Sequence, residues 1–278
     1  MSIFLRDQLN NIIQLSLPPQ RIVSIVPSQT ELLYELGLNE EVIGITKFCI
    51  HPPEWFQTKQ RIGGTKNVNI DRVKALHPDL IIANKEENVK EQIEELQKVA
   101  PVWVSDIYTL DDALEMITTI GKLVNKQQRA NDISTQVKNS FNQLIPLSRP
   151  ISSAYLIWKD PYMAAGGNTF INDMLDRCGF DNIFKRLSRY PEIDIPHMLT
   201  SNNTGSAALV PPLFLKHCEI LLLSSEPYPF RPKHIDELNL QQVASKIVLV
   251  DGEMFSWYGS RLLRAPAYFQ KLIQEIQG

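Results

Sequence analysis

Cysteine is scarce in this chain. Cys49, Cys178 and Cys218 are the only three in 278 residues. They are odd in number, widely spaced and without a CxxC pair, which excludes a zinc ribbon and a dithiol redox motif and leaves three buried thiols. An excess of positive charge is missing too. The formal net charge is -3, and no cluster of Lys and Arg interleaved with aromatics appears, so nucleic acid is excluded as a partner. No apolar run is long enough to span a bilayer. The opening MSIFLRDQLNNIIQLSLPPQR lacks a basic n-region, an apolar h-region and a cysteine that could carry a lipid, and the expectation from this is a cytoplasmic location. Chemistry-bearing motifs are sparse. There is no GxxxxGK[ST] phosphate loop, no GxSxG elbow, and no HxH or HxxxH spacing among His51, His77, His197, His217 and His234. These absences remove the phosphate-loop class and weaken the hydrolase and metal-receptor classes.

What is present is one supersecondary plan stated twice. RIVSIVPSQTELLYELGL (Arg21 to Leu38), EVIGIT, and then ALHPDLIIANKEENVKEQIEELQKVAPVWVS (Ala75 to Ser105) alternate apolar runs with helical stretches. SAYLIWKDPYMAAGGNTFINDMLDRCGF (Ser153 to Phe180) and KHCEILLLSSEPYPFRPKHIDELNLQQVASKIVLVDG (Lys216 to Gly252) repeat that order. The fold class expected is α/β, with two Rossmann-like lobes joined by a long rigid α-helix and a ligand cleft between the lobes. The lobes are expected over 1-108 and 147-278. Between them, over 109-146, steps of three and four from Leu110 to Leu144 predict one continuous amphipathic helix about 50 Å long. In the first lobe Ser28 or Thr30 is expected to cap a helix ending at Gly37. The adjacent Pro52 and Pro53 are expected to exclude regular structure, and RIGGTK reads as a tight turn.

In a parallel α/β sheet, residues just past the carboxyl ends of the strands line the ligand crevice. That rule selects Ser28, Gln29, Phe48, Asn84 and Lys85 in the first lobe. In the second it selects Trp158, Tyr162, Glu226, Tyr228, Glu253, Trp257 and Tyr258. Trp103 and Tyr190 add further aromatics. Aromatic walls beside a few polar groups suit a large, flat, partly polar ligand. Cys49 and His51, two apart on a segment taken as extended, point the same way and offer a second reading. It is a cytosolic hydrolase or cofactor-processing enzyme built on Lys47, Cys49, His51 and Glu253. GGNT, Gly166 to Thr169, reads either as a helix cap or as an anion cradle.

Taken together, RIVSIVPSQTELLYELGL, HPDLIIANKEEN, the central helical stretch and GEMFSWYGSRLL resemble the helical-backbone substrate-binding proteins of ABC importers. The resemblance runs from about Arg21 onward and is greatest to the cobalamin and iron-siderophore receptors. It implies a binding protein and not an enzyme, with no required cofactor and no protein-bound metal. The implied ligand is cobalamin, another corrinoid or a ferric siderophore. Ser28 would face the corrin edge, Trp103 and Tyr190 would be aromatic walls, and Glu253 and Trp257 would contact the ligand. The resemblance also implies a periplasmic location as the alternative to the cytoplasm, and an ABC permease as partner. Exported members present one carboxylate per lobe to that permease; Glu91 and Glu192 are the nearest counterparts here.

Overall fold

The computed structural model describes residues 2–16, 18–195, 218–240 and 243–278. The stretch 196–217, with His197 and His217, lies outside them. At the start, β1 (Ser2–Arg6) and β2 (Ile12–Ser16) form an antiparallel hairpin. Asp7 closes its turn, its Oδ1 accepting from the backbone N–H of Leu9 and Asn11 at 2.9 and 2.8 Å. Nothing in the sequence analysis anticipated this hairpin, although IIQLS carries the alternation of a half-buried strand.

The chain divides into two compact units. The first contains residues 1–107, 111–142 and 257–263; the second contains 108–110, 143–256 and 264–278. Within the first, β3 (Ile22–Ser24), β4 (Val42–Ile45), β5 (Gln60–Arg61), β6 (Leu80–Asn84) and β7 (Val102–Ser105) form one sheet in the order β5-β4-β3-β6-β7. Every pairing in it is parallel. The helices α1 (Pro27–Glu35), α2 (Pro53–Thr58), α3 (Ile70–Ala75) and α4 (Lys90–Gln97) connect the strands. Parallel strands are covered on both faces, which is why LIIAN of β6 is buried at all five positions. Val23, Ile25, Ile81, Ala83, Val102 and Val104 fill one face together with Val73 and Leu96.

Two local expectations are corrected here. Helix α1 starts at Pro27, with Val26 as N-cap and no side-chain cap, so neither Ser28 nor Thr30 caps it. Proline at the first helical position costs no hydrogen bond, since that N–H has no intrahelical partner. The same rule explains why Pro53 opens α2 where the proline pair was expected to bar regular structure. Gly37, with φ +81°, ends the α1 segment as expected.

The single long helix is corrected as well. The structure has α5 (Leu110–Leu123) and α6 (Gln127–Asn142). Asn125 adopts the left-handed conformation, φ 57°. The N–H of Lys126 then bonds the carbonyl of Gly121 at 2.7 Å, and that of Asn125 bonds Lys122 at 3.3 Å. This is a Schellman termination. The chain turns so sharply that a Cβ on Gly121 would lie 2.2 Å from the Cβ of Ala130. The continuous helix expected over 109-146 is therefore two helices.

In the second unit β8 (Ile151–Trp158), β9 (Tyr162–Ala164), β11 (Glu192–Ile193), β12 (Ile220–Ser224) and β13 (Lys246–Val250) form a sheet in the order β11-β9-β8-β12-β13, and β10 (Phe180–Asn182) also pairs with β8. The pairings β8 with β10, β8 with β12, and β12 with β13 are parallel; β9 runs antiparallel to β8 and β11 to β9. The helices are α7 (Phe170–Cys178), α8 (Pro232–Asn239), α9 (Gly252–Ser256) and α10 (Ala265–Gln277). Ala154, Leu156, Leu221, Leu223, Phe184 and Phe230 belong to its core.

The RIGGTK turn depends on Gly63. Its φ is +105°, and an added Cβ would lie 2.5 Å from the Asn67 carbonyl oxygen and 2.9 Å from the Asn69 nitrogen. Both obstacles are backbone. Gly63→Ala is therefore expected to destabilise the protein by about 1–3 kcal/mol, read as a lower urea midpoint. An unchanged midpoint would contradict the role given to this turn.

Candidate functional site

In each unit the carboxyl ends of the parallel strands gather the candidate residues. In the first, β4 runs into the turn Lys47 to His51. The turn is closed by Cys49 N–H to Thr46 O at 3.2 Å and Ile50 N–H to Phe48 O at 2.9 Å. Because the backbone turns, its side chains diverge. Phe48 is 51% exposed and Ile50 44%. The Lys47 ammonium stands 5.0 Å from the centre of the Phe48 ring. Gly64 leaves room for that ring, since a Cβ there would come within 3.2 Å of it.

Cys49 points inward. It is fully buried, with its Sγ 3.1 Å from both Thr30 Oγ1 and Thr46 Oγ1. Burial pushes its pKa up, and the two threonine hydroxyls oppose that shift only in part. His51 instead meets the Trp257 ring edge to face at 5.5 Å. The shared orientation expected of Cys49 and His51 is thus corrected, and a buried, protonated thiol is a poor nucleophile. All three cysteines are buried, and burial also pushes Cys218 up to about 12. DTNB is expected to label no thiol of the native protein and three after unfolding in guanidinium. Rapid labelling of one thiol in the native state would contradict this.

Several predicted ligand residues turn out to be interior. Trp103 has no exposed surface. It lies within β7, paired with Ile82 of β6, so it is a core residue of the first unit and not an aromatic wall. Gln29 and Asn84 are 0% and 1% exposed. Both donate to Ser105, Gln29 to its Oγ and Asn84 to its Oγ at 2.9 Å. The Asn84 side-chain Oδ1 also accepts from the backbone N–H of Glu86 and Glu87. They tie α1 to the ends of β6 and β7. Ser28 is buried too, and Gly259 packs so closely that a Cβ there would lie 2.6 Å from its carbonyl oxygen. Trp257 and Tyr258 are 7% and 5% exposed and pack in the first unit, as part of 257–263. Lys85 is exposed and bonds Asp106 Oδ2 at 2.6 Å.

In the second unit Trp158, Tyr162, Tyr190 and Tyr228 remain at least partly accessible. Trp158 ends β8 and is 40% exposed. Tyr228 follows β12 and meets it in a T-shaped contact at 5.8 Å. Phe230 and His234 support Tyr228 from behind, with ring centres at 4.8 and 5.6 Å. His234 Nδ1 accepts the N–H of Arg231 at 2.9 Å, which leaves Nε2 facing the Tyr228 hydroxyl at 3.4 Å. Burial lowers the His234 pKa, and the Lys159 charge adds to this. Tyr162 is half-buried, and burial raises its pKa against the pull of Lys159. Glu226 accepts from Ser256 Oγ at 2.7 Å. Glu253, in the first turn of α9, and Tyr190 are half-buried. Gly252 sits where a Cβ would come within 2.4 Å of Ser224 Oγ, so the β13 loop packs closely on the β12 loop.

The other expectations resolve locally. Thr169 caps α7, accepting the N–H of Asn172 at 3.2 Å, and a Cβ on Gly167 would lie 1.8 Å from Lys185 O. GGNT is therefore a cap packed on backbone. Glu91 in the first turn of α4 and Glu192 in β11 are both exposed. Among the described residues no group of three His, Cys, Asp or Glu side chains could hold a metal, and no helix is long and apolar enough to cross a membrane.

Two α/β units, each carrying strand-end loops with exposed or half-exposed aromatics, define a substrate-binding protein. The chain belongs to the periplasmic binding protein family, whose model matches residues 22–204. It is similar to the vitamin B12-binding protein of Vibrio campbellii, 25% identical over 189 residues, covering 66% of this chain and 68% of that protein. The vitamin B12-binding protein of Pectobacterium carotovorum is 27% identical over 172 residues, covering 60% of this chain and 62% of that protein. Among solved structures, the periplasmic vitamin B12 binding protein BtuF of Vibrio cholerae has a TM-score of 0.75 at 20% identity, covering 94% of this chain and 98% of its own. The heme-binding protein BhuT, solved with two hemes, has a TM-score of 0.76 at 14% identity, covering 93% and 99%. The siderophore-binding protein BauB reaches 0.74 at 18%, covering 99% of both chains. These relatives are binding proteins, and the chain is likewise a binding protein and not an enzyme. The relatives with solved structures include periplasmic proteins, so they give the cytoplasmic expectation no support.

Proposed function

We propose that this protein captures a corrinoid of the cobalamin type and hands it to an ABC permease. The observation that carries this reading is the pairing of the exposed Trp158 with the half-buried Tyr228 at the carboxyl ends of β8 and β12. It is a rigid aromatic face backed by Phe230 and His234, with Glu226 close by in sequence. Such a face suits stacking on a large flat ring, and neighbouring polar groups orient its amide periphery. Phe48 offers an aromatic of the same kind at the strand ends of the first unit. The vitamin B12-binding relatives favour cobalamin; the fold is shared equally with heme and siderophore binders, whose ligands are also large metal complexes. Location in the periplasm, and docking to the permease through the exposed Glu91 and Glu192, complete the proposal.

The test is thermal unfolding against cyanocobalamin, cobinamide, haemin and ferric siderophores. A ligand present at one hundred times its dissociation constant adds about 2.7 kcal/mol to stability, a rise in Tm of several degrees. A rise with cyanocobalamin or cobinamide alone supports the corrinoid. A rise with haemin or a ferric chelate alone replaces it with that ligand.

A further inference from the structure

The first unit contains a chain of contacts that no ligand-facing role explains. Glu31 on α1 and Arg261 in the 3-10 turn Ser260–Leu263 are both buried, at 8% and 6% exposure. Arg261 Nε donates to Glu31 Oε2 at 3.1 Å, and its Nη2 lies 2.9 Å from Oε1. The guanidinium also stands 5.0 Å from the centre of the Trp257 ring, and Trp257 meets His51 edge to face. His51 is half-buried and closes the turn that carries the exposed Phe48 and Ile50.

Burying an ion pair is rarely the cheapest way to hold two elements together, because desolvation consumes much of the attraction. A guanidinium does two things that an apolar side chain cannot. Its fork takes a carboxylate at two points, and its flat face packs on an aromatic ring. Here both are used at once, by α1 on one side and Trp257 on the other. Trp257 thus contacts both the guanidinium and the ring of His51.

We infer that Arg261 is a positioning residue for ligand binding: anchored by Glu31, it holds Trp257 against His51 and so sets the turn that presents Phe48. This rests on the reading of the Lys47 to His51 turn as ligand-facing, but its first test needs no ligand. The His51 C2-proton in the NMR spectrum, identified by its loss in His51→Gln, reports the ring current of Trp257. In Arg261→Met that resonance is expected to shift while the His234 resonance, in the second unit, stays in place. Because Arg261→Met breaks the buried ion pair with Glu31, the double variant Glu31→Leu/Arg261→Met is measured beside it. Two apolar partners restore stability, and the His51 resonance is still expected to be displaced. An unmoved His51 resonance in the double variant overturns the inference. So does a common shift of His51 and His234, which would mark a global change.

Cyanocobalamin is the probe for the second readout. Affinity of the double variant is expected to fall about tenfold, and unchanged affinity overturns the link to binding. If the wild-type protein binds no cyanocobalamin, the proposed ligand fails, and the NMR comparison still decides the positioning role.

Discussion

Glu31→Ala is expected to lower the melting temperature by on the order of 10 °C. The carboxylate makes a two-point contact with Arg261, and both side chains are buried. Removing one partner breaks a buried ion pair, a loss of about 3–5 kcal/mol. For a protein of this size each kcal/mol shifts Tm by roughly 2–4 °C. The effect should be specific to breaking the pair. Glu31→Leu/Arg261→Met removes both charges and is expected to regain most of the lost stability, since the desolvation cost disappears with them. Calorimetry of the three proteins checks this. If Glu31→Ala melts within a degree or two of wild type, the site is wetter than its burial implies.

The second large effect concerns Trp158. At 40% exposure its indole contributes little to the core, so Trp158→Ala is expected to change Tm only slightly. Its affinity for cyanocobalamin should fall about 30-fold, the roughly 2 kcal/mol typical of a truncated aromatic anchor. Trp103→Ala should do the reverse. That side chain is fully buried beside Ile82, so truncation opens a cavity and costs about 3–5 kcal/mol of stability. Titration and melting of the two variants side by side separates wall from core. Equal affinity losses in folded samples would show that Trp158 is not the anchor.

That contrast also shows what local sequence can and cannot convey. The apolar runs DLIIA and ILLLS are unmistakable, and they became β6 and β12. The identity of the loops at their ends followed directly. Whether a given residue faces ligand or core did not. Trp103 lies in the short apolar run VWV, and a strand buried on both faces gives no alternation to mark its interior. Gln29 and Asn84 looked like convergent polar groups; they converge on Ser105, 76 and 21 residues away, a distance no local pattern records.

The broken helix was legible in part. From Val124 to Ile133 the only aliphatic side chain is Ala130, and the apolar stripe lapses there. Asn125, tolerant of the left-handed conformation, stands in that gap. Regular steps on either side masked the break. Trp257 is the hardest case. It follows α9 of the second unit, yet 257–263 pack in the first. Contacts distant in sequence reveal the crossing: the Arg261–Glu31 pair, spanning 230 residues, and the meeting of Trp257 with His51.

The central claim is that this is a binding protein for a corrinoid, with an aromatic anchor at the end of β8. Isothermal titration of the wild-type protein with cyanocobalamin, repeated on Trp158→Ala, tests it most directly. Saturable binding at one ligand per chain, weakened about 30-fold by the substitution, is the predicted result. Heat of dilution alone from the wild-type protein, or equal affinity in both, would contradict it.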